Sequence, residues 1–367
     1  MAKYKKRLII FMPSMEGGGV EKNLILVSNF LIKHFENITF ITFDNKFNSF
    51  FNKNIKIINS NFRSKKKYSK YFKYLTCIIL LIKEILKKDP PIVFSFQANI
   101  YCSFLTLFYN FNLIVRSNTS PAGWNKNILK KIIFKIFLKK EKYIIVNSAD
   151  FKKTIDKEFN VNSKLIYNPL NLSEIKKLSK EKVAEKIYSK NSLKIINIAR
   201  FTDQKDHITL LKAFKKTREK INCELLIMGY GINKFIIKNY IKRNKLSKYI
   251  KIFNFKKNPY KYLAKSDLFI LTSLYEGLPN VLLESLALKK LVISTDCPSG
   301  PREILNNGKY GILFKIKDYI KLSKLVINYK NNIKKYKKIS NTGYKSLERF
   351  NFEKNCLKYL DIVKRCI

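Results

Sequence analysis

Residues 268–300 read LFILTSLYEGLPNVLLESLALKKLVISTDCPSG, and this stretch decides the fold class. Leu268–Thr272 is a short, continuous apolar run of the kind that forms a strand buried on both faces. YEGLPN then turns the chain, Pro279 suits the first turn of a helix, and the apolar residues continue at helical spacing to Leu288. A second run, Leu291–Ser294, follows at once. Strand, helix, strand in this order is the unit of a parallel sheet covered by helices. One residue breaks the pattern. Glu284 stands between Val281-Leu282-Leu283 and Leu286-Ala287-Leu288, eight residues after a second acid, Glu276. A carboxylate in such surroundings costs roughly several kcal/mol unless a polar group meets it.

The same alternation extends outward in both directions. Toward the N-terminus the strand candidates are Leu8–Met12, Ile38–Phe43, Ile55–Ile58, Ile92–Phe96, Leu113–Val115 and Tyr143–Val146. Around the opening stretch they are Lys194–Ile198, Leu225–Met228, Ile250–Phe253, Leu268–Thr272, Leu291–Ser294 and Gly311–Phe314. Helical patterns separate them, so the chain reads as α/β with two doubly wound domains, joined near Tyr167–Ile175 where Pro169 interrupts regular structure. The uncharged span Pro90–Val115 is long enough for a membrane helix. It carries Gln97, Asn99, Asn110 and Asn112, however, and divides into a strand, a short helix near Tyr101–Tyr109 and another strand.

With 367 residues, 46% of them hydrophobic, the chain has material for two cores of ordinary size. Its 74 Lys+Arg against 26 Asp+Glu leave a net charge of +48. Lysines are scattered along the whole sequence, and Ile, Asn, Phe and Tyr are abundant with them, which points in part to genomic bias. The remainder favours an anionic membrane surface over a nucleic acid. Cys77, Cys102, Cys223, Cys297, Cys356 and Cys366 show no C-x-x-C pair and read as reduced thiols of a cytoplasmic protein. The N-terminal stretch has only about six apolar residues before its glycines, short of the ~7–15 of an export signal.

Ligands of doubly wound sheets bind beyond the carboxyl ends of the strands, and the unusual residues lie in those loops. After the first strand comes Gly17-Gly18-Gly19, then a helix from about Val20. Glycines at a helix N-terminus admit a phosphate to free N–H groups, although a tight strand-to-helix turn explains them as well. In INIARFTDQKDH, Arg200 ends a strand and Lys205 lies on the next loop, a fork and a point charge suited to a diphosphate. Two solvated cations of a basic chain are the alternative. LLIMGYG places Gly229 and Gly231 after another strand, again allowing close backbone approach. Glu276 and Glu284 could share one edge of a ligand site; a buried glutamate paired with a lysine is the competing reading.

YEGLPNVLLE resembles the E-x7-E signature of glycosyltransferase family 4, the retaining enzymes of GT-B fold. GGGVEK, VNSADF, YNPLN, IARFTDQKD, LLIMGYG, NPYKYLAKSDLFILTSLYEGLPNVLLESLA and TDCPSGPREIL follow in that family's order. The resemblance covers nearly the whole chain and is strongest from Ile196 to Leu305. It implies two Rossmann-like domains facing a central cleft: residues 1–168 for the acceptor, residues 169–345 for the nucleotide sugar, and a C-terminal helix, 346–367, packing back on the first.

By the same resemblance Gly18 and Gly19 lie beside the donor phosphates and the acceptor, and Arg200 and Lys205 hold the diphosphate. Glu276 contacts the transferred sugar, Glu284 the ribose, and the backbone of Gly277 and Leu278 lies close to the sugar and phosphates. Many members carry a histidine in the loop matching VRSNTSP. This chain has Arg116, Ser117 and Asn118 there, and its two histidines, His34 and His207, are elsewhere. Arg116 and Asn118 therefore stand in as acceptor-side candidates.

The implied reaction transfers a hexose or N-acetylhexosamine from a nucleoside-diphosphate sugar, UDP by family frequency, with retention of configuration and without cofactor. No D-x-D sequence occurs, so cations would replace a metal at the diphosphate. The acceptor implied is a saccharide, free or linked to polyprenyl diphosphate, in bacterial surface-polysaccharide or glycan assembly. Residues 64–88 and 123–143 mix lysines with apolar residues at helical spacing, with Trp124 near the start of the second. Such segments can lie on the inner face of the cell membrane, each lysine adding about 1 kcal/mol. An inactive scaffold of the same fold and a basic nucleic-acid-binding protein are the rivals; the second lacks any zinc, helix-turn-helix or stacking signature.

Overall fold

The computed structural model describes residues 3–60, 68–118 and 128–367. It divides into two compact units, Met1–Pro169 with Phe352–Ile367, and Leu170–Asn351. The first unit holds seven strands: β1 (Leu8–Phe11), β2 (Ile38–Thr42), β3 (Lys56–Asn59), β4 (Ile92–Ser95), β5 (Asn112–Ser117), β6 (Tyr143–Val146) and β7 (Lys164–Leu165). They form one parallel sheet in the order β3-β2-β1-β4-β5-β6-β7. All of β1 is buried because its residues alternate between two cores. Leu8 and Ile10 join Phe40, Phe94, Leu24 and Val27 on one face, and Ile9 and Phe11 join Val93, Val115, Leu81 and Phe151 on the other. The C-terminal helix Phe352–Lys364 adds Tyr359, Leu360 and Val363 to the first of these cores.

The second unit holds β8 (Leu193–Ile198), β9 (Cys223–Met228), β10 (Ile250–Phe253), β11 (Leu268–Leu271), β12 (Leu291–Thr295) and β13 (Ile312–Phe314). Its sheet is also parallel, in the order β10-β9-β8-β11-β12-β13. Ile195, Ile227, Ile270 and Ile293 face a core completed by Leu210 and Phe214 of helix His207–Arg218 and by Leu322 and Val326 of helix Tyr319–Asn331. In each sheet the first strand of the unit sits in the middle, and the winding reverses beside it: between β1 and β4 in one, between β8 and β11 in the other. In doubly wound sheets such reversal points are where ligands bind, beyond the carboxyl ends of the strands.

Pro90–Val115 folds as the strand–helix–strand its polar residues suggest, β4, helix Asn99–Leu105 and β5. Among the described residues no helix is long and apolar enough to cross a membrane. All six cysteines are buried. Trp124 and the lysines at 65–67 lie outside the described residues.

Candidate active site

In the second unit the loops leaving β8 and β11 flank the reversal point, and they are stitched together by hydrogen bonds. Thr272 Oγ1 lies 2.9 Å from the carbonyl of Lys205 and 3.0 Å from that of Asp206, within reach of both. Leu274 N–H donates to the Gln204 carbonyl at 2.8 Å, and Gln204 Nε2 returns a bond to the Tyr275 carbonyl at 2.8 Å. This lacing brings the Lys205 ammonium onto Glu276 Oε1. The pair is enclosed, with only 14% of the lysine side chain and 8% of the glutamate side chain exposed. Ser273 Oγ donates to the same carboxylate oxygen at 2.6 Å, and Ser299 Oγ holds the Glu276 carbonyl at 2.7 Å. Glu276 is thus paired with a lysine, the one expected at the diphosphate.

Glu284 is buried on helix Asn280–Ala287, one turn past the Gly277-Leu278-Pro279 bend, and Arg200 is half-buried just after β8. Neither lacks an interaction partner. The glycines of LLIMGYG allow a close approach within the unit itself. A Cβ on Gly229 would stand 1.9 Å from the Ala199 carbonyl oxygen, so the chain itself is what comes close. Gly231 is pressed against Phe201 in the same way. The two glycines fix the path of the Arg200–Lys205 loop. Gly300, at φ +80°, does the same beside the Gly277 carbonyl.

His207 begins helix His207–Arg218 next to this pair. It is 3% exposed, its ring meets Phe201 edge-on, and neither ring nitrogen has a partner among the described residues. Burial, with Lys205 adding to it, drives its pKa down to about 4, so the imidazole stays neutral.

In the first unit the glycine loop is already occupied by a carboxylate of the chain. Glu21 accepts from the backbone N–H of Glu16 and of Gly18, both at 2.9 Å, in the manner of a capping box. Of the N–H groups expected to face a phosphate, that of Gly18 is therefore engaged, and Gly19 is the exposed glycine of the three. Arg116, expected on the acceptor side, is wholly buried at the end of β5. Its Nε donates to Tyr359 Oη at 2.9 Å, its Nη2 to Asn168 Oδ1 at 2.7 Å and its Nη1 to Asn118 Oδ1. The guanidinium also lies over the Phe96 ring at 5.2 Å. Arg116 is thus enclosed by the neighbours that it holds, and of these Asn118 is half-buried.

Sequence reasoning missed Ser273, Ser299 and Thr272 as the groups that set Glu276 and Lys205 in place. The spacing Ser273-x-x-Glu276 was a visible signal, since it is the spacing at which a hydroxyl and a carboxylate meet across one turn. Glu21 gave the same kind of signal three residues after Gly18. Tyr359 and Asn168 gave none.

Residues 179–346 match the family described as Glycosyl transferases group 1. An uncharacterized glycosyltransferase of Methanocaldococcus jannaschii is 33% identical over 293 residues, covering 71% of this chain and 72% of that protein. The chain belongs to the group 1 glycosyltransferases. The transferase is also 28% identical over 284 residues, 74% of its length and 76% of the other, to a Campylobacter jejuni N-acetylgalactosamine-N,N'-diacetylbacillosaminyl-diphospho-undecaprenol 4-alpha-N-acetylgalactosaminyltransferase. Among solved structures it resembles Anabaena HepE in complex with UDP and glucose, with a TM-score of 0.79, 14% identity, and 98% and 99% of the two chains covered. A sucrose-phosphate synthase from Thermosynechococcus elongatus gives a TM-score of 0.80 at 12% identity, over 98% and 99% of the chains. The two doubly wound units are those of the GT-B fold.

Proposed function

We propose that the transferase moves a hexose or N-acetylhexosamine from a UDP-sugar to a saccharide carried on polyprenyl diphosphate, with retention of configuration, in the assembly of a bacterial surface polysaccharide or glycan. The observation that carries this reading is the Lys205–Glu276 pair at the reversal point of the second sheet, with Arg200 on the same loop as Lys205. A diphosphate arriving there meets an ammonium already oriented by a carboxylate, and a guanidinium beside it on the chain. The acceptor and the sugar are supported by the Campylobacter relative, whose name specifies an undecaprenol diphosphate and an N-acetylgalactosaminyl group. UDP is supported by its presence in the HepE complex.

In this mechanism the bond between the anomeric carbon and the diphosphate oxygen breaks, and the electron pair leaves with the phosphate. The acceptor hydroxyl attacks the same face, and its proton passes to the departing phosphate oxygen. Arg200 and Lys205 stabilise the charge as it develops, the electrostatic contribution that usually dominates such barriers. They take the place of a metal. Glu276 contacts the transferred sugar, the Gly277 and Leu278 backbone lies along sugar and phosphates, and Glu284 binds the ribose. Gly18 and Gly19 leave room beside the phosphates, and Asn118, positioned by Arg116, faces the acceptor. The enzyme works at the cytoplasmic face of the membrane, where a polyprenyl-linked acceptor is held.

Incubation with UDP-N-acetylhexosamines or UDP-hexoses and a short-chain polyprenyl-diphosphate saccharide, with and without a chelator, tests the reading. An α-linked product by NMR, formed equally with chelator, is the expected result. A β-linked product or loss of transfer with chelator would refute the mechanism, and no transfer from any donor would refute the assignment.

A further inference from the structure

Three helices of the first unit carry apolar side chains outward. On helix Lys70–Ile85, Tyr71, Leu75 and Ile79 are exposed at steps of four, which places them on one face. Phe104 and Phe108 are exposed on and just after helix Asn99–Leu105, and Ile132 and Ile136 on helix Ile128–Lys140, again four apart. The three are neighbours. Tyr74 and Tyr101 meet edge-on at 5.8 Å between the first and second helices, Phe104 and Phe137 at 6.1 Å between the second and third, and these last two helices pack together. Single exposed apolar residues are ordinary, but adjoining rows on three packed helices make a patch that asks for a partner.

Charge says what that partner is. The sequences of these three helices contain eight lysines and one acid, Glu84, which is buried and held by Lys87. Exposed Lys70, Lys83, Lys135 and Lys139 stand on the same helices as the apolar rows. A second copy of the chain would bring lysines against lysines, at a net charge of +48 on each. A bilayer rich in anionic lipid satisfies both features, with acyl chains for the aromatic and aliphatic rows and head groups for the ammoniums. The helices would rest on such a surface, since no described helix is able to cross it.

We propose that the outer face of helices Lys70–Ile85, Asn99–Leu105 and Ile128–Lys140 is the docking surface for an anionic membrane. This gives the lipid-linked acceptor reading a physical contact, and it rests on that reading for its purpose but not for its test. Co-sedimentation with phosphatidylglycerol-containing vesicles, compared with pure phosphatidylcholine vesicles, measures binding without any transfer reaction. UDP binding is followed on the same preparations. The wild type is expected to prefer the anionic vesicles, and the variant Leu75→Ser/Phe108→Ser/Ile136→Ser to lose about tenfold in vesicle binding while binding UDP normally. A second variant, Lys135→Glu/Lys139→Glu, should lose binding to anionic vesicles alone, which guards against misfolding of the first. If both variants bind vesicles as the wild type does, the face is not the docking surface. If the wild type ignores vesicles but binds UDP, the membrane proposal fails and the donor reading stands. A wild-type dimer that becomes a monomer in the serine variant would show that a second copy covers the face, and would also overturn it.

Discussion

Lys205 and Glu276 form an ion pair between the loops that leave β8 and β11. Each is nearly enclosed, and a buried charge is tolerated when its partner and hydrogen bonds are in place. Ser273 supplies one of those bonds, so the carboxylate keeps its position if the ammonium turns to a diphosphate. His207, beside them, has no such support. The unfolded chain takes up a proton near the ordinary value of 6.5, whereas the folded chain resists until about 4. Between these values the unfolded state holds more protons, so stability falls as pH drops. The wild type should lose about 2 kcal/mol more than a His207→Leu variant between pH ~7.5 and ~5 in urea denaturation. An equal loss in both would show that His207 charges without cost. At this scale residue types and spacing single out Arg200, Lys205 and the two acids as candidates, and the structure brings Lys205 and Glu276 together. It was not readable at Arg116, because a guanidinium at a strand end looks solvent-facing until Asn168 and Tyr359, remote in sequence, enclose it.

Elements were more legible than residues. Continuous apolar runs mark twelve of the thirteen strands among the described residues, and the other, Lys164–Leu165, is too short to show any pattern. Ends shifted where packing overrode composition. The run expected at Leu113–Val115 extends from Asn112 to Ser117, because Arg116 and Ser117 are buried and paired with β6. The helix expected near Tyr101–Tyr109 runs from Asn99 to Leu105. Loop glycines signal close approach, and at Gly229 and Gly231 the group that approaches is the backbone of the neighbouring loop. Gly229→Ala forces a Cβ against the Ala199 carbonyl at 1.9 Å, and neither backbone can yield without moving the Arg200–Lys205 loop. We expect it to cost more than about 3 kcal/mol in chemical denaturation or to abolish soluble expression. A variant as stable as the wild type would mean that this loop is not pinned by its neighbour.

At the scale of the whole molecule, a chain with a net charge of +48 attracts any anion, so affinity for a nucleotide is informative only when separated from that background. Salt makes the separation: it screens scattered surface lysines strongly and an enclosed ion pair weakly. Lys205, Arg200, Glu276 and Glu284, the side chains proposed to hold the donor, all lie in the second unit. The most direct test is therefore calorimetric titration of UDP into the wild type and into Lys205→Met at high salt. One site per chain is expected, with affinity lower in the variant by about 1.5–3 kcal/mol, roughly ten- to a hundredfold. Equal affinity in the two proteins, or no saturable binding of UDP in either, would contradict it.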